Sequence, residues 1–127
     1  MADLDLISIK LKNDLKSIGL PVDEVSIEFA TKYCKTYYAL YYPKSDKCPI
    51  PRIRIYPYRR KGCGLIYPYM ELLDTAIHEM CHHLQFREPN YVRFKGVVHD
   101  PNFWELYNKY KNRAETTGLL RGDEDEE

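Results

Sequence analysis

The spacing of apolar residues predicts three helices. Residues 3–18 and 70–86 both carry apolar side chains at steps of three and four, which is the period of an α-helix. A third amphipathic segment starts at Pro101, follows an N-cap residue at Asp100 and ends near Gly118. The chain is therefore expected to place one helix at its N-terminus and two in its second half.

Between the first two helices the apolar period shortens to two, which indicates strands. Apolar and polar residues alternate in residues 25–29 and again from residue 52, and residues 36–42 are rich in β-prone aromatic side chains. Pro57 lacks the N–H that a central strand would donate, so the strand of residues 52–58 is expected at a sheet edge. The element order predicts a compact α+β domain with a small, mainly antiparallel sheet of about three strands.

The second predicted helix contains the segment His-Glu-Met-Cys-His at residues 78–82. Residues four apart on a helix share one face, so the His78 and His82 imidazoles can converge on one metal ion. Glu79 is turned about 100° around the helix and lies beside that ion, where its carboxylate can take a proton from water. Cys81 and His83 point away from the face of the two histidines, so neither is expected to bind the metal.

A third protein ligand is needed, because catalytic zinc usually has three and keeps one position open. Gln85 and Glu88 stand where a metzincin would have Gly and His, so that pattern fails. Two candidates remain, His99 in the loop before the third helix and Glu105 within that helix. His99 is preferred because a loop beside a packed helix is anchored without being confined to helix geometry, although both ligand sets are chemically sound.

Residues 70–107 resemble the core of the SprT-like metalloproteases. The resemblance rests on the HEMCH segment at residues 78–82, a spacer of sixteen residues, and the HDPNFW segment at residues 99–104. It implies a small zincin-like domain over residues 1–122 that hydrolyses peptide bonds with one Zn²⁺. Carried over by position, the resemblance implies zinc ligands and a catalytic acid/base at the following residues: His78, His82 and His99 for zinc, and Glu79 for catalysis.

Two features of the chain depart from the SprT-like pattern. Asp100 replaces the Gly that usually follows the third histidine, which changes the loop but not the ligand. The C-terminal zinc ribbon of many members is missing, since the four cysteines form no CxxC pair and none follows His99. Known eukaryotic members cut proteins attached to DNA, so the resemblance also implies a protein or peptide substrate associated with nucleic acid.

A chain of 127 residues is expected to form one domain, and its sequence features favour an intracellular location. We expect no signal peptide and no membrane-spanning segment, because acidic residues interrupt the start and no apolar run is long enough. Four cysteines without a pattern indicate a reducing compartment, cytoplasmic or nuclear. Acidic and basic residues balance at 19 each, but residues 123–127 are all acidic and are predicted to be a disordered tail.

A basic and aromatic segment at residues 52–61 suggests a second kind of partner. Its cations are interleaved with Tyr56 and Tyr58, and such a mixture suits phosphates and unpaired bases of DNA or RNA. The cations are Arg52, Arg54, Arg59, Arg60 and Lys61. The expected function is that of a zinc-dependent peptidase, and the alternative is a non-catalytic, metal-stabilised module that binds nucleic acid or protein through this segment.

Overall fold

The computed structural model describes residues 3–62, 64–88 and 99–120. They form three helices, a short 3₁₀ turn and three strands, which confirms the predicted α+β class. In chain order the elements are α1 (Leu4–Ser17), the 3₁₀ turn (Val22–Glu24), β1 (Ser26–Phe29), β2 (Ala39–Tyr42), β3 (Arg52–Ile55), α2 (Tyr69–Phe86) and α3 (Pro101–Thr116). The predicted acidic tail, residues 123–127, lies outside the described residues.

The three strands form one mixed sheet in the order β1-β3-β2. Strand β3 pairs in parallel with β1 and antiparallel with β2, so one of the two pairings is parallel. The prediction that residues 52–58 form an edge strand is wrong, because β3 is the central strand. It ends at Ile55, so Pro57 lies beyond the ladder and its missing N–H costs no sheet hydrogen bond.

The hydrophobic core lies between one face of the sheet and the three helices. Ile53 and Ile55 of β3 are fully buried, and Leu11 and Leu15 of α1 belong to the same buried cluster. Helix α2 runs through the middle, and eleven of its 18 residues are buried. Because α2 is covered on nearly all sides, its polar groups must find partners inside the protein.

No helix among the described residues is long and apolar enough to cross a membrane.

Candidate metal centre

Three histidines converge at the contact between α2 and α3. His78 and His82 lie one turn apart on α2, with ring centroids 5.2 Å apart. His99 immediately precedes the N-cap of α3, and its Nε2 atom lies 3.0 Å from Nε2 of His78. One nitrogen from each ring lies within 4.8 Å of the others. The three predicted ligands are thus brought together, and the group can hold a metal ion.

The chemistry of the donor set fits a divalent ion. Tetrahedral zinc with Zn–N bonds of about 2.0–2.1 Å separates its ligand nitrogens by about 3.3 Å. The His78–His99 pair, at 3.0 Å, is close to that value, and the other pairs lie within 4.8 Å. Burial, and then the neighbouring His99, lower the pKa of His78 to about 4, while Asp74 acts in the opposite direction. The His78 ring is therefore neutral at physiological pH, with a lone pair available for a metal.

A single apolar side chain supports all three imidazoles. Phe103, in the first turn of α3, is fully buried. Its ring centroid lies 4.7 Å from that of His78, 4.6 Å from that of His82 and 4.7 Å from that of His99. Contacts at these distances restrict the tilt of each ring, so α3 holds the ligands from α2 as well as its own.

The start of α3 is fixed to α2 by a buried amide that the sequence did not single out as functional. Gln85 Nε2 donates to Asp100 Oδ1 at 2.9 Å and to Asn102 Oδ1 at 2.8 Å. Asp100 Oδ1 also accepts the backbone N–H of Phe103 at 2.9 Å, which confirms Asp100 as the N-cap. One carboxylate oxygen therefore both begins α3 and attaches it to α2, directly beside His99.

Glu79 lines a cleft beside the cluster of three histidines. Its residue surface is only 8% exposed, and burial raises the pKa of its carboxyl to about 7. The cleft has a volume of about 300 Å³ and is lined by His78, Glu79, Tyr107 and residues 36–39, which lead into β2. A carboxyl with a pKa near neutrality can both accept and return a proton, as general acid–base chemistry requires.

Asp74 and Tyr107 form the wall of this cleft next to His78. The Tyr107 hydroxyl donates to Asp74 Oδ1 at 2.6 Å, and burial together with this bond raises the pKa of Tyr107. Tyr107 therefore stays a neutral phenol, and its ring centroid lies 5.9 Å from that of His78. The helical period of the sequence can place Asp74 one turn before His78. It cannot identify Tyr107, on another helix, as the hydrogen-bond partner of Asp74.

Among the described residues, the other candidate ligands lie outside the cluster of His78, His82 and His99. Glu105 is exposed on α3 and is not among the clustered ligand atoms of the described residues. Cys81 is fully buried, and burial raises the pKa of its thiol to about 12, as expected for a packed thiol. His83 lies on another side of α2, where its Nδ1 contacts Tyr41 Oη and its Nε2 contacts Glu24 Oε1, both at 2.8 Å.

Comparisons of the chain with protein-family models, with curated proteins and with solved structures each found no match. The SprT-like resemblance therefore stays a prediction, and the argument for function rests on the geometry of the site.

Metal binding should depend on His99 and not on Glu105. We expect His99→Ala to retain far less than one equivalent of zinc after dialysis, because two imidazoles remain to hold the ion. Glu105→Ala should keep the wild-type stoichiometry, since its carboxylate lies outside the cluster. Metal content per chain, measured by mass spectrometry, checks both variants, and metal loss in Glu105→Ala alone would reverse the assignment.

Removing the Gln85 amide should weaken metal binding without removing any ligand. In Gln85→Leu the buried Asp100 loses a donor, so we expect unfolding free energy to fall by about 1–3 kcal/mol. Zinc affinity, measured by competition with a chelator, should fall about 10–100-fold because His99 is less well placed. Asn102→Ala, which keeps the bond from Gln85 to Asp100, is the control and should show smaller losses. An unchanged zinc affinity in a destabilised Gln85→Leu would show that the amide serves folding alone.

Proposed function

We propose that the chain is a zinc-dependent peptidase of the SprT-like type, with His78, His82 and His99 as metal ligands and Glu79 as the general base. The observation that carries the proposal is the position of Glu79. A carboxyl with no role in chemistry has little reason to be buried in a cleft that it shares with His78, because burial disfavours its charged form. A purely structural zinc site would need no such base and usually has four protein ligands.

Zinc is the ion proposed because imidazole is a preferred zinc ligand and three imidazoles are a known catalytic set. When bound, it would supply an acidified water and polarise the carbonyl under attack. Glu79 would accept the proton of the attacking water and return it to the leaving amine, and burial, which raises the pKa of its carboxyl, favours the second transfer. The neutral phenol of Tyr107 stays hydrogen-bonded to Asp74 and bounds the site on the α3 side.

An extended peptide would bind along β2. This strand, rather than residues 52–58, is then the edge strand that pairs with the substrate. Among the described residues β2 is a sheet edge, and the segment leading into it lines the metal cleft. Tyr56 N–H donates to Tyr38 C=O at 2.8 Å, so the alternation of an antiparallel pair directs the backbone groups of Ala39 and Tyr41 away from β3. A substrate strand can pair with these groups beside Glu79.

Glu79→Gln tests the peptidase proposal, because the amide keeps the shape of the side chain and removes the base. We expect this variant to keep one equivalent of zinc and to lose at least about 100-fold in the rate of hydrolysis of an unfolded protein substrate such as casein. The matched control is Glu88→Gln, which removes an exposed carboxylate two residues beyond the end of the same helix and should change neither property. Near-normal turnover in Glu79→Gln would rule out the proposed role of Glu79.

A second candidate function, binding of single-stranded nucleic acid, is favoured by one cavity. The cavity has a volume of about 570 Å³, and its lining contains four cations, two tyrosines and no acidic residue among the described part of the chain. These side chains are Lys32, Lys35, Arg60, Lys61, Tyr33 and Tyr58. Such a lining suits phosphates and stacked bases.

The cations predicted from residues 52–61 are divided between two places. Arg60 and Lys61 belong to the basic cavity, and Arg59 is exposed in the same turn. Arg52 and Arg54 instead lie on the face of β3 opposite the core. The guanidinium carbon of Arg52 lies 4.8 Å from the centroid of the Tyr42 ring, and that of Arg54 lies 6.0 Å from the centroid of the Tyr56 ring. The second candidate therefore rests on the basic cavity more than on the strand.

Fluorescein-labelled oligothymidine of twelve nucleotides tests the second candidate by fluorescence anisotropy. We expect Lys32→Gln/Lys35→Gln to weaken binding about tenfold and to reduce the slope of log affinity against log salt by about 1.4, the value for two lost phosphate contacts. Lys12→Gln/Lys44→Gln, which removes two exposed lysines outside the cavity, is the control. Equal losses in both double variants, or no binding by the wild type at low salt, would contradict the candidate.

A further inference from the structure

A second cavity continues the metal cleft toward the start of α2. It has a volume of about 320 Å³ and shares three lining residues with the cleft, Tyr38, Asp74 and Thr75. Its remaining wall is formed by the first turns of α2 and by residues 55, 56 and 67. A peptide that lies in the cleft can therefore place a side chain in this cavity without leaving the metal centre.

The lining of this second cavity combines aromatic rings with carboxylates. Tyr38, Tyr56 and Tyr67 contribute rings, and the Tyr38 and Tyr67 rings meet edge to face with centroids 5.6 Å apart. Glu71 and Asp74 contribute acidic groups, and no basic residue of the described chain lines the cavity. We name this feature, defined by these five residues, the aromatic–acidic pocket.

We propose that the aromatic–acidic pocket binds a lysine or arginine side chain of the peptide substrate, a specificity that rests on the proposed peptidase function. A cation gains from the faces of tyrosine rings and from the two carboxylates at once. An acidic side chain would be repelled by the carboxylates of Glu71 and Asp74. A purely apolar side chain would fill the space but leave the carboxylate of Glu71 without a cation and partly removed from water.

The same combination of groups already holds a lysine elsewhere in this molecule. The Lys10 ammonium lies 3.9 Å from the centroid of the Tyr69 ring and 3.2 Å from the Asp14 carboxylate. The Tyr69 hydroxyl donates to that same carboxylate. A lysine held jointly by a tyrosine face and a carboxylate is thus a contact that this chain makes within its own fold.

The distance along α2 fixes where the recognised residue lies in the substrate. Glu71 precedes His78 by seven residues, which at 1.5 Å per residue is about 10 Å along the helix axis. An extended peptide advances about 3.3 Å per residue, so the cationic residue lies no more than about three residues from the reacting carbonyl. Asp74 and Thr75 lie between these two points, where cleft and pocket join.

The test measures binding separately from hydrolysis. Zinc-loaded Glu79→Gln protein is titrated with fluorescein-labelled heptapeptides of Ala and Gly that carry one central Lys, norleucine or Glu. We expect the Lys peptide to bind about tenfold more tightly than the norleucine peptide, and the Glu peptide to bind most weakly. Adding Glu71→Gln should remove most of the preference for Lys, and adding Glu88→Gln, the same change outside the pocket, should not.

The possible results separate the pocket from the peptidase. Equal or undetectable binding of the Lys and norleucine peptides overturns the pocket, as does a Lys preference that survives Glu71→Gln unchanged. Cleavage of the same peptides by the wild type is followed in parallel. Cleavage without a preference for Lys keeps the peptidase and rejects the pocket, and a Glu71-dependent preference in binding without any cleavage keeps the pocket and rejects the peptidase.

Discussion

The candidate metal centre depends on the buried contact between Gln85 and Asp100. Two of its histidines belong to α2, and among the described residues the third is brought to them by the packing of α3 against α2. Gln85 is 2% exposed and Asp100 is 3% exposed, so neither can exchange its partner for water without cost. Because Asp100 also caps α3, the bond that fixes the helix start fixes the position of His99 next to it. The geometry of three imidazoles is therefore a consequence of one helix–helix contact.

A second set of hydrogen bonds, made by the buried His83, fixes the strand side of the site. His83 lies on α2 between Tyr41 of β2 and Glu24 of the 3₁₀ turn. An ionised carboxylate can only accept, so Nε2 of His83 donates to Glu24, and Nδ1 is the ring nitrogen in contact with the Tyr41 hydroxyl. The hydrogen bond from His83, and then Arg87, hold the pKa of Glu24 below its ordinary value against the effect of burial. Edge strand β2 is thereby fixed to the helix that carries Glu79.

The sequence predicted those features that depend on residues close together in the chain. The helical period placed His78 and His82 on one face, and the pattern Asp-Pro before an amphipathic segment identified the cap at Asp100. It favoured His99 over Glu105 but left both ligand sets open, because the outcome depends on how α3 packs on α2. For the same reason Gln85 entered only as a mismatch to another motif and His83 only as a neighbour of a ligand. Both act through partners at least fifteen residues away along the chain.

The sheet shows the same division between local and non-local information. Alternation correctly indicated a strand at residues 52–55, since Ile53 and Ile55 face the core while Arg52 and Arg54 face outward. The position of that strand in the sheet depends on which strands reach it, and β1 pairs with it in parallel although β2 intervenes in the chain. The one local clue, Pro57, was misleading because the strand ends two residues before it.

The balanced net charge conceals two cavities of opposite character that share one loop. Between β1 and β2, residues 31–35 contribute to the basic cavity and residues 36–39 to the metal cleft. Phosphates are attracted to the cations of the basic cavity and repelled from the carboxylates of the aromatic–acidic pocket that adjoins the cleft, whereas a basic peptide experiences the reverse. Proteins that bind nucleic acids are themselves rich in lysine and arginine. The two proposed specificities are therefore compatible with one kind of target, a basic protein on a nucleic acid, with each component directed to a different side of the same loop.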